Sequence, residues 1–138
     1  MSKLSKEEIT DKQKNFLLEF FAGLGEVDGR TKLQKIIFLG QQELGLEKIF
    51  DFNEYYYGPY SDELTDALEQ LIRSGDIIED IEMHGDYIKY TYRLSNFTGI
   101  PNETVIPENI MHSFKRLSGV PRKKIIDYVY RKYLPHRL

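Results

Sequence analysis

Apolar positions follow helical spacing at both ends of the chain and alternate with polar ones in the middle. Leu17, Phe20, Phe21 and Leu24 recur at three- and four-residue intervals, which predicts a first helix. Two starts suit it, Ser5 with Glu8 and Thr10 with Gln13, each spaced as a capping box; Gly23, Gly25 and Gly29 close it and begin a turn. A second helix is predicted from Thr31, with Gln34 as its capping partner and Leu33, Ile36, Ile37, Gly40 and Leu44 on the buried face. Glycine weakens a helix, so the expected use of Gly40 is to let another backbone approach closely.

Residues 50–57 alternate and are aromatic, as in a short strand, and Gly58-Pro59 breaks the run. Ser61 is the expected N-cap of a third helix, with Asp62 and Glu63 in the dipole-favoured first turn. Leu64, Ala67, Leu68, Leu71 and Ile72 form its apolar face, and Gly75 supplies a left-handed stop. Two β-rich runs, Ile77–Met83 and Tyr87–Leu94, flank the hairpin turn His84-Gly85-Asp86. Ile88, Tyr90, Tyr92 and Leu94 point one way on the second strand, and Lys89, Thr91 and Arg93 the other. Residues 95–106 read as a surface connection. Two helices follow, Pro107 to Ser118 ended by Gly119, and one opened by Pro121 with Ile125, Ile126, Val129 and Tyr133 as its apolar stripe.

Helix, helix, short strand, helix and hairpin is the element order of a winged helix-turn-helix core. The predicted class is α+β, mainly helical, with a β-hairpin wing and two extra C-terminal helices. A single winged-helix-like domain over 1–138 is expected, with its core at about 5–94, the connection at 95–106 and a helical extension at 107–138.

Composition narrows the function classes. The 138 residues are 41% hydrophobic and 30% charged, ordinary globular values. Cysteine is absent, which excludes disulfides, thiolate metal sites and cysteine nucleophiles. The first residues lack the apolar core of a secretory signal, no run is long enough to span a membrane, and a cytoplasmic protein is expected. The net charge is −3, but residues 107–138 hold eight basic side chains against two acidic ones. The first 106 residues carry 11 basic and 20 acidic ones. The basic end reads either as a pointer to an anionic partner or as an internal match to the acidic body.

Candidate chemistry is sparse. Three histidines are scattered, and Glu108 with His112 gives two ligands on one helix face, too few for a metal site. Asp76, Glu79, Asp80 and Glu82 lack calcium-loop spacing, and Gly23-Leu24-Gly25 lacks the spacing that cradles phosphate. No catalytic residue, metal or cofactor is assigned.

Thr31-Lys32-Leu33-Gln34-Lys35-Ile36-Ile37-Phe38-Leu39, then Tyr56-Tyr57-Gly58-Pro59-Tyr60-Ser61 and Leu64, resembles the YwgA-like proteins. More distantly it is similar to the Panacea (SocA-like antitoxin) domain, with its KLQK-type helix and YGP turn. The resemblance covers roughly residues 30–78 and implies a small non-enzymatic regulator, with Lys32, Leu33, Gln34, Lys35, Gly58 and Pro59 as structural motif residues.

The expected activity is regulation or adaptation by protein–protein binding, antitoxin-like in its narrowest form. The acidic outer face of the third helix (Asp62, Glu63, Asp66, Glu69) and the tyrosines Tyr55, Tyr56, Tyr57 and Tyr60 are the partner candidates. Four carboxylates against Arg73 disfavour insertion of that helix into a phosphate-lined groove. The alternative is a DNA-binding, transcription-type regulator using the third helix or the basic helices. There Lys115, Arg116, Arg122, Lys123, Lys124, Arg131 and Lys132 lie among stacking aromatics. Helices added after a wing also suit pairing of two copies as a homodimer.

Overall fold

The computed structural model describes residues 9–56 and 58–134. Its elements are α1 (Asp11–Leu24), β1 (Glu26–Asp28), α2 (Arg30–Glu43), β2 (Asn53–Tyr55), β3 (Gly58–Tyr60), α3 (Asp62–Arg73), β4 (Ile77–His84), β5 (Tyr87–Leu94), α4 (Glu108–Ser118) and α5 (Arg122–Tyr133). Helices α1, α2 and α3 pack on an antiparallel sheet of order β1-β5-β4, while β2 and β3 form a separate small ribbon. The fold is therefore α+β.

Helix α1 starts where Thr10 and Gln13 close their capping box at 3.0 Å in each direction. The Ser5 alternative lies outside the described residues. Phe16, Leu17, Phe20 and Phe21 are fully buried, whereas Leu24 is only half-buried, so the apolar face is rotated toward Phe16. Helix α2 departs from expectation at its start: it begins at Arg30 after Gly29, with no side-chain cap. Thr31 and Gln34 make no capping box, because Gln34 is turned into the core on other business. Strand β1 was expected as turn; its three residues pair with Arg93, Tyr92 and Thr91 of β5. Gly58-Pro59 does not end the extended segment but begins β3, which folds back so that Asn53 faces Tyr60 and Glu54 faces Pro59. Proline is tolerated there because β3 is an edge strand.

The third helix, its Gly75 stop and the hairpin behave as expected. Ser61 accepts from the Leu64 amide, Gly75 sits at φ +86, and Asp76 N–H returns to Leu71 O at 2.9 Å. Strands β4 and β5 pair over their full eight residues across a two-residue turn, Gly85-Asp86. Pro107 and Pro121 each stand as the N-cap just before α4 and α5.

The core is centred on a phenylalanine cluster. Phe114 of α4 meets Phe20 edge-on at 5.1 Å and Phe16 at 6.5 Å, and Phe16 meets Phe50 at 5.8 Å. Gly40 serves this cluster, though not as expected. A Cβ there would lie 2.6 Å from the Phe114 ring, so the glycine admits a side-chain ring against α2 rather than another backbone.

Candidate functional site

The KLQK segment is buried throughout, and its polar atoms act as clamps on other parts of the chain. Gln34 Oε1 accepts from Ser61 N at 2.9 Å while its Nε2 donates to Ser61 O at 3.0 Å and Thr65 Oγ1 at 3.1 Å. Lys35 Nζ donates to Pro59 O at 2.9 Å. Gly58, at φ +112, leaves room for that lysine; a Cβ would stand 3.2 Å from Nζ. Lys32 reaches Ser118 O at 2.7 Å and Asp28 at 3.3 Å, and Leu33 lies in the core. The two motifs are therefore halves of one polar latch joining α2 to the Gly-Pro turn and to the cap of α3.

Burial pushes Lys35 down to about 8. In the unfolded chain lysine titrates near its ordinary 10.5, so above pH 8 the unfolded state binds more protons and stability rises with pH. Below pH 8 both states are charged and the burial penalty is fully present. Burial and Glu79 push Tyr92 up to about 12, and burial with Glu43 pushes Tyr133 up to about 12, so these phenols oppose the rise above pH 10. Urea unfolding between pH 8 and 10 is expected to show a gain on the order of 2 kcal/mol. The variant Lys35→Met should lose that pH dependence; a flat native profile would contradict the buried charge.

The acidic third helix is mostly engaged internally. Asp62 accepts from Tyr55 Oη at 2.9 Å, and Glu63 accepts from Gln13 Nε2 and the Asp51 amide, both at 3.0 Å. Glu69 pairs with Arg30 at 2.6 Å, leaving Asp66 as the one candidate carboxylate of α3 with no such bond among the described residues. Tyr60 Oη meets Thr65 at 2.6 Å, and its ring packs edge-on against Tyr55. Tyr56 is 90% exposed; Tyr57 lies outside the described residues. The tyrosines and carboxylates singled out as one partner surface are thus mostly drawn into fold-holding contacts, with Tyr56 exposed and Asp66 half-buried without such a bond among the described residues.

Two features went unmarked in the sequence reading. The first is a polar hub at the base of the β4–β5 hairpin. Arg30 Nε donates to Tyr92 Oη at 2.8 Å and its other nitrogens meet Glu69 and Glu79, while Tyr92 Oη donates to Glu79 at 2.7 Å. Burial opposes the Arg30 charge, yet the bonds to Tyr92 and Glu69 hold it above its ordinary value. The hub anchors both β4 and β5 to α2 and α3. Glu79 is occupied here and Asp80 pairs with Arg93 at 2.9 Å, which accounts for two of the acidic residues in β4.

The second is the apolar face of the β4–β5 hairpin. Ile77–Leu94, Glu79–Tyr92, Ile81–Tyr90 and Met83–Ile88 are directly opposed pairs and share one side of the hairpin. At the base this side enters the core at Ile77 and Tyr92. Farther out it leaves the body uncovered: Ile81 is 59% exposed, Met83 69%, Ile88 45% and Tyr90 41%. Period-2 alternation identified the face on which Ile88 and Tyr90 lie. Alternation does not say how much of the roughly 27 Å that eight residues span will be covered by the body.

At the C-terminal end Lys115, Arg116, Arg122, Lys123, Lys124, Arg131 and Lys132 are all exposed, with Tyr128 and Tyr130 among them. Lys123 pairs with Asp127, and Lys132 with Glu43 at 2.8 Å; the other five have no ion pair among the described residues. Burial opposes ionisation of Glu43, but Lys132, Tyr133 and Tyr128 hold its carboxyl below the usual range. This clasp fastens the end of α5 to α2, so the match between basic end and acidic body exists but uses a single one of the seven cations. Among the described residues no group of three histidine, aspartate or glutamate side chains is placed to hold a metal ion. No helix among them is long and apolar enough to cross a membrane.

No family model and no solved structure matches the chain. Over 80 residues it is 39% identical to "Uncharacterized protein YwgA" of Bacillus subtilis (strain 168), an alignment that takes in 57% of this chain. The chain is thus similar to YwgA over rather more than half of its own residues, and its match spans about half (47%) of that relative's length.

Proposed function

We propose that the chain is a non-enzymatic winged-helix regulator or adaptor that acts by binding another protein through its wing. The observation that carries this reading is the uncovered apolar face of Ile81, Met83, Ile88 and Tyr90. A contiguous exposed patch of this kind marks an interaction surface. The winged-helix reading is supported by the three helices packed on β1-β5-β4, with the hairpin following the third helix directly. Resemblance of the motif residues to the Panacea domain makes an antitoxin-like adaptor the narrower form of the same proposal. Charge favours a protein over DNA at this end: the wing carries Glu82 and Asp86 at its tip, and Asp66 is unneutralised on α3. Phosphates would be repelled there.

A second reading, DNA binding by the C-terminal helices, is favoured by five exposed cations with no ion pair among the described residues, on the helices that carry Tyr128 and Tyr130. One pair of experiments separates the two. A photo-crosslinking residue at Met83, introduced in cells, is expected to trap a discrete protein adduct that the same residue at Lys124 does not. Fluorescence anisotropy with random-sequence duplex DNA at low salt is expected to show no binding. Salt-sensitive DNA binding that disappears when Arg122, Lys123 and Lys124 become glutamate, with no adduct at position 83, would replace the first reading by the second.

A further inference from the structure

Between α2, α4 and α5 lies a groove of about 530 Å³, separate from the wing. Its lining is mainly apolar, contributed by Leu39, Leu44, Leu117, Val120 and Ile125. Arg116 and Lys124 also line it, are exposed, and have no ion pair among the described residues. The acidic group on this wall, Glu43, is already satisfied by Lys132, Tyr128 and Tyr133. An apolar trough with two uncommitted cations and one neutralised carboxylate asks for a ligand with an aliphatic body and an anionic head. The volume is within the range of small-molecule sites, roughly 300–1,000 Å³.

From this we propose that the groove is a binding site for a linear amphipathic anion, an aliphatic chain ending in a carboxylate or phosphate. The chain would lie along the leucine and valine side chains, and the head would be held by Arg116 and Lys124. A second copy of the protein is a poor occupant, since a two-fold contact here would bring each copy's Arg116 and Lys124 toward its partner's. Nucleic acid is also a poor one, because phosphates would meet the two cations but leave the apolar floor uncovered. The inference does not depend on the wing's role.

The test uses the whole protein with dodecanoate, dodecyl phosphate and dodecanol, each below its micelle or solubility limit, followed by calorimetry and by backbone amide chemical shifts. One-to-one saturable binding of an anionic probe is expected, with dodecanol weaker by at least about tenfold, as for loss of a charge-assisted contact. The shifts should centre on Leu117, Val120 and Ile125. Preference between the two anionic probes distinguishes a fatty carboxylate from a lipid phosphate as the source. Changing both Arg116 and Lys124 to glutamine, at exposed positions where folding is not at stake, should weaken the anions by about tenfold and leave dodecanol unchanged. Val120→Trp, which fills the groove without altering its charge, should remove all binding. The proposal is overturned by absence of saturable binding, by equal affinity for dodecanol and dodecanoate, by an unaffected glutamine variant, or by shifts centred elsewhere.

Discussion

Replacing Phe114 with alanine is expected to destabilise the protein by about 3–5 kcal/mol. The ring is wholly buried and stands where α1, α2 and α4 meet, edge-on to Phe20 and Phe16 and with its tip against Gly40. Three walls of the resulting cavity belong to different helices, so it cannot collapse by moving one side chain. Gly40→Ala turns this into a sign test. Alone, the new methyl would sit 2.6 Å from the ring and should cost about 1–3 kcal/mol through overpacking. In the Phe114→Ala background the clash is gone, and alanine's helix preference should make the same change stabilising by up to about 1 kcal/mol. Urea unfolding of the four proteins measures the coupling; strictly additive effects would show that ring and glycine do not meet.

The second large effect belongs to Gln34. Gln34→Ala is expected to cost on the order of 3 kcal/mol, because it strands the buried Ser61 amide and weakens the bonding of its carbonyl. Ser61→Ala provides the scale. It removes the hydroxyl that caps Leu64 while leaving the glutamine clamp in place, and should cost about 1 kcal/mol. If chemical unfolding finds Gln34→Ala no worse than Ser61→Ala, the latch is not a major support of the α2–α3 junction.

These two residues also show where reading the chain succeeds and where it stops. Local signals were legible: the Thr10–Gln13 box, the Ser61 cap, the Gly75 stop and the hairpin all depend on neighbours within a few residues. Gln34 has equally good local grounds for a capping role beside Thr31. It is drawn elsewhere because Ser61, 27 residues away, presents a buried amide and carbonyl that only a side-chain amide fits together. Strand β1 is too short to show a pattern and exists because β5 offers it an edge. The partner candidates fail in the same way. Sequence displays the carboxylates of α3 but not Gln13 and Arg30, which arrive from 50 and 39 residues away and occupy Glu63 and Glu69. The apolar hairpin face was half legible, since alternation assigns the side and only the assembled body determines how much of it stays bare.

The latch has a further consequence for how the molecule opens. Ser61 belongs to no helix or strand, yet its amide is held by a fully buried side chain and its carbonyl by the same group. Releasing it requires α2 to leave the core. This junction therefore has no low-energy breathing motion of its own, unlike the outer end of the β4–β5 hairpin, where the two strands pair only with each other. Amide-protection along the chain will not track secondary structure: the loop at residue 61 is among the last places to open, and the regular hairpin around residue 85 is among the first.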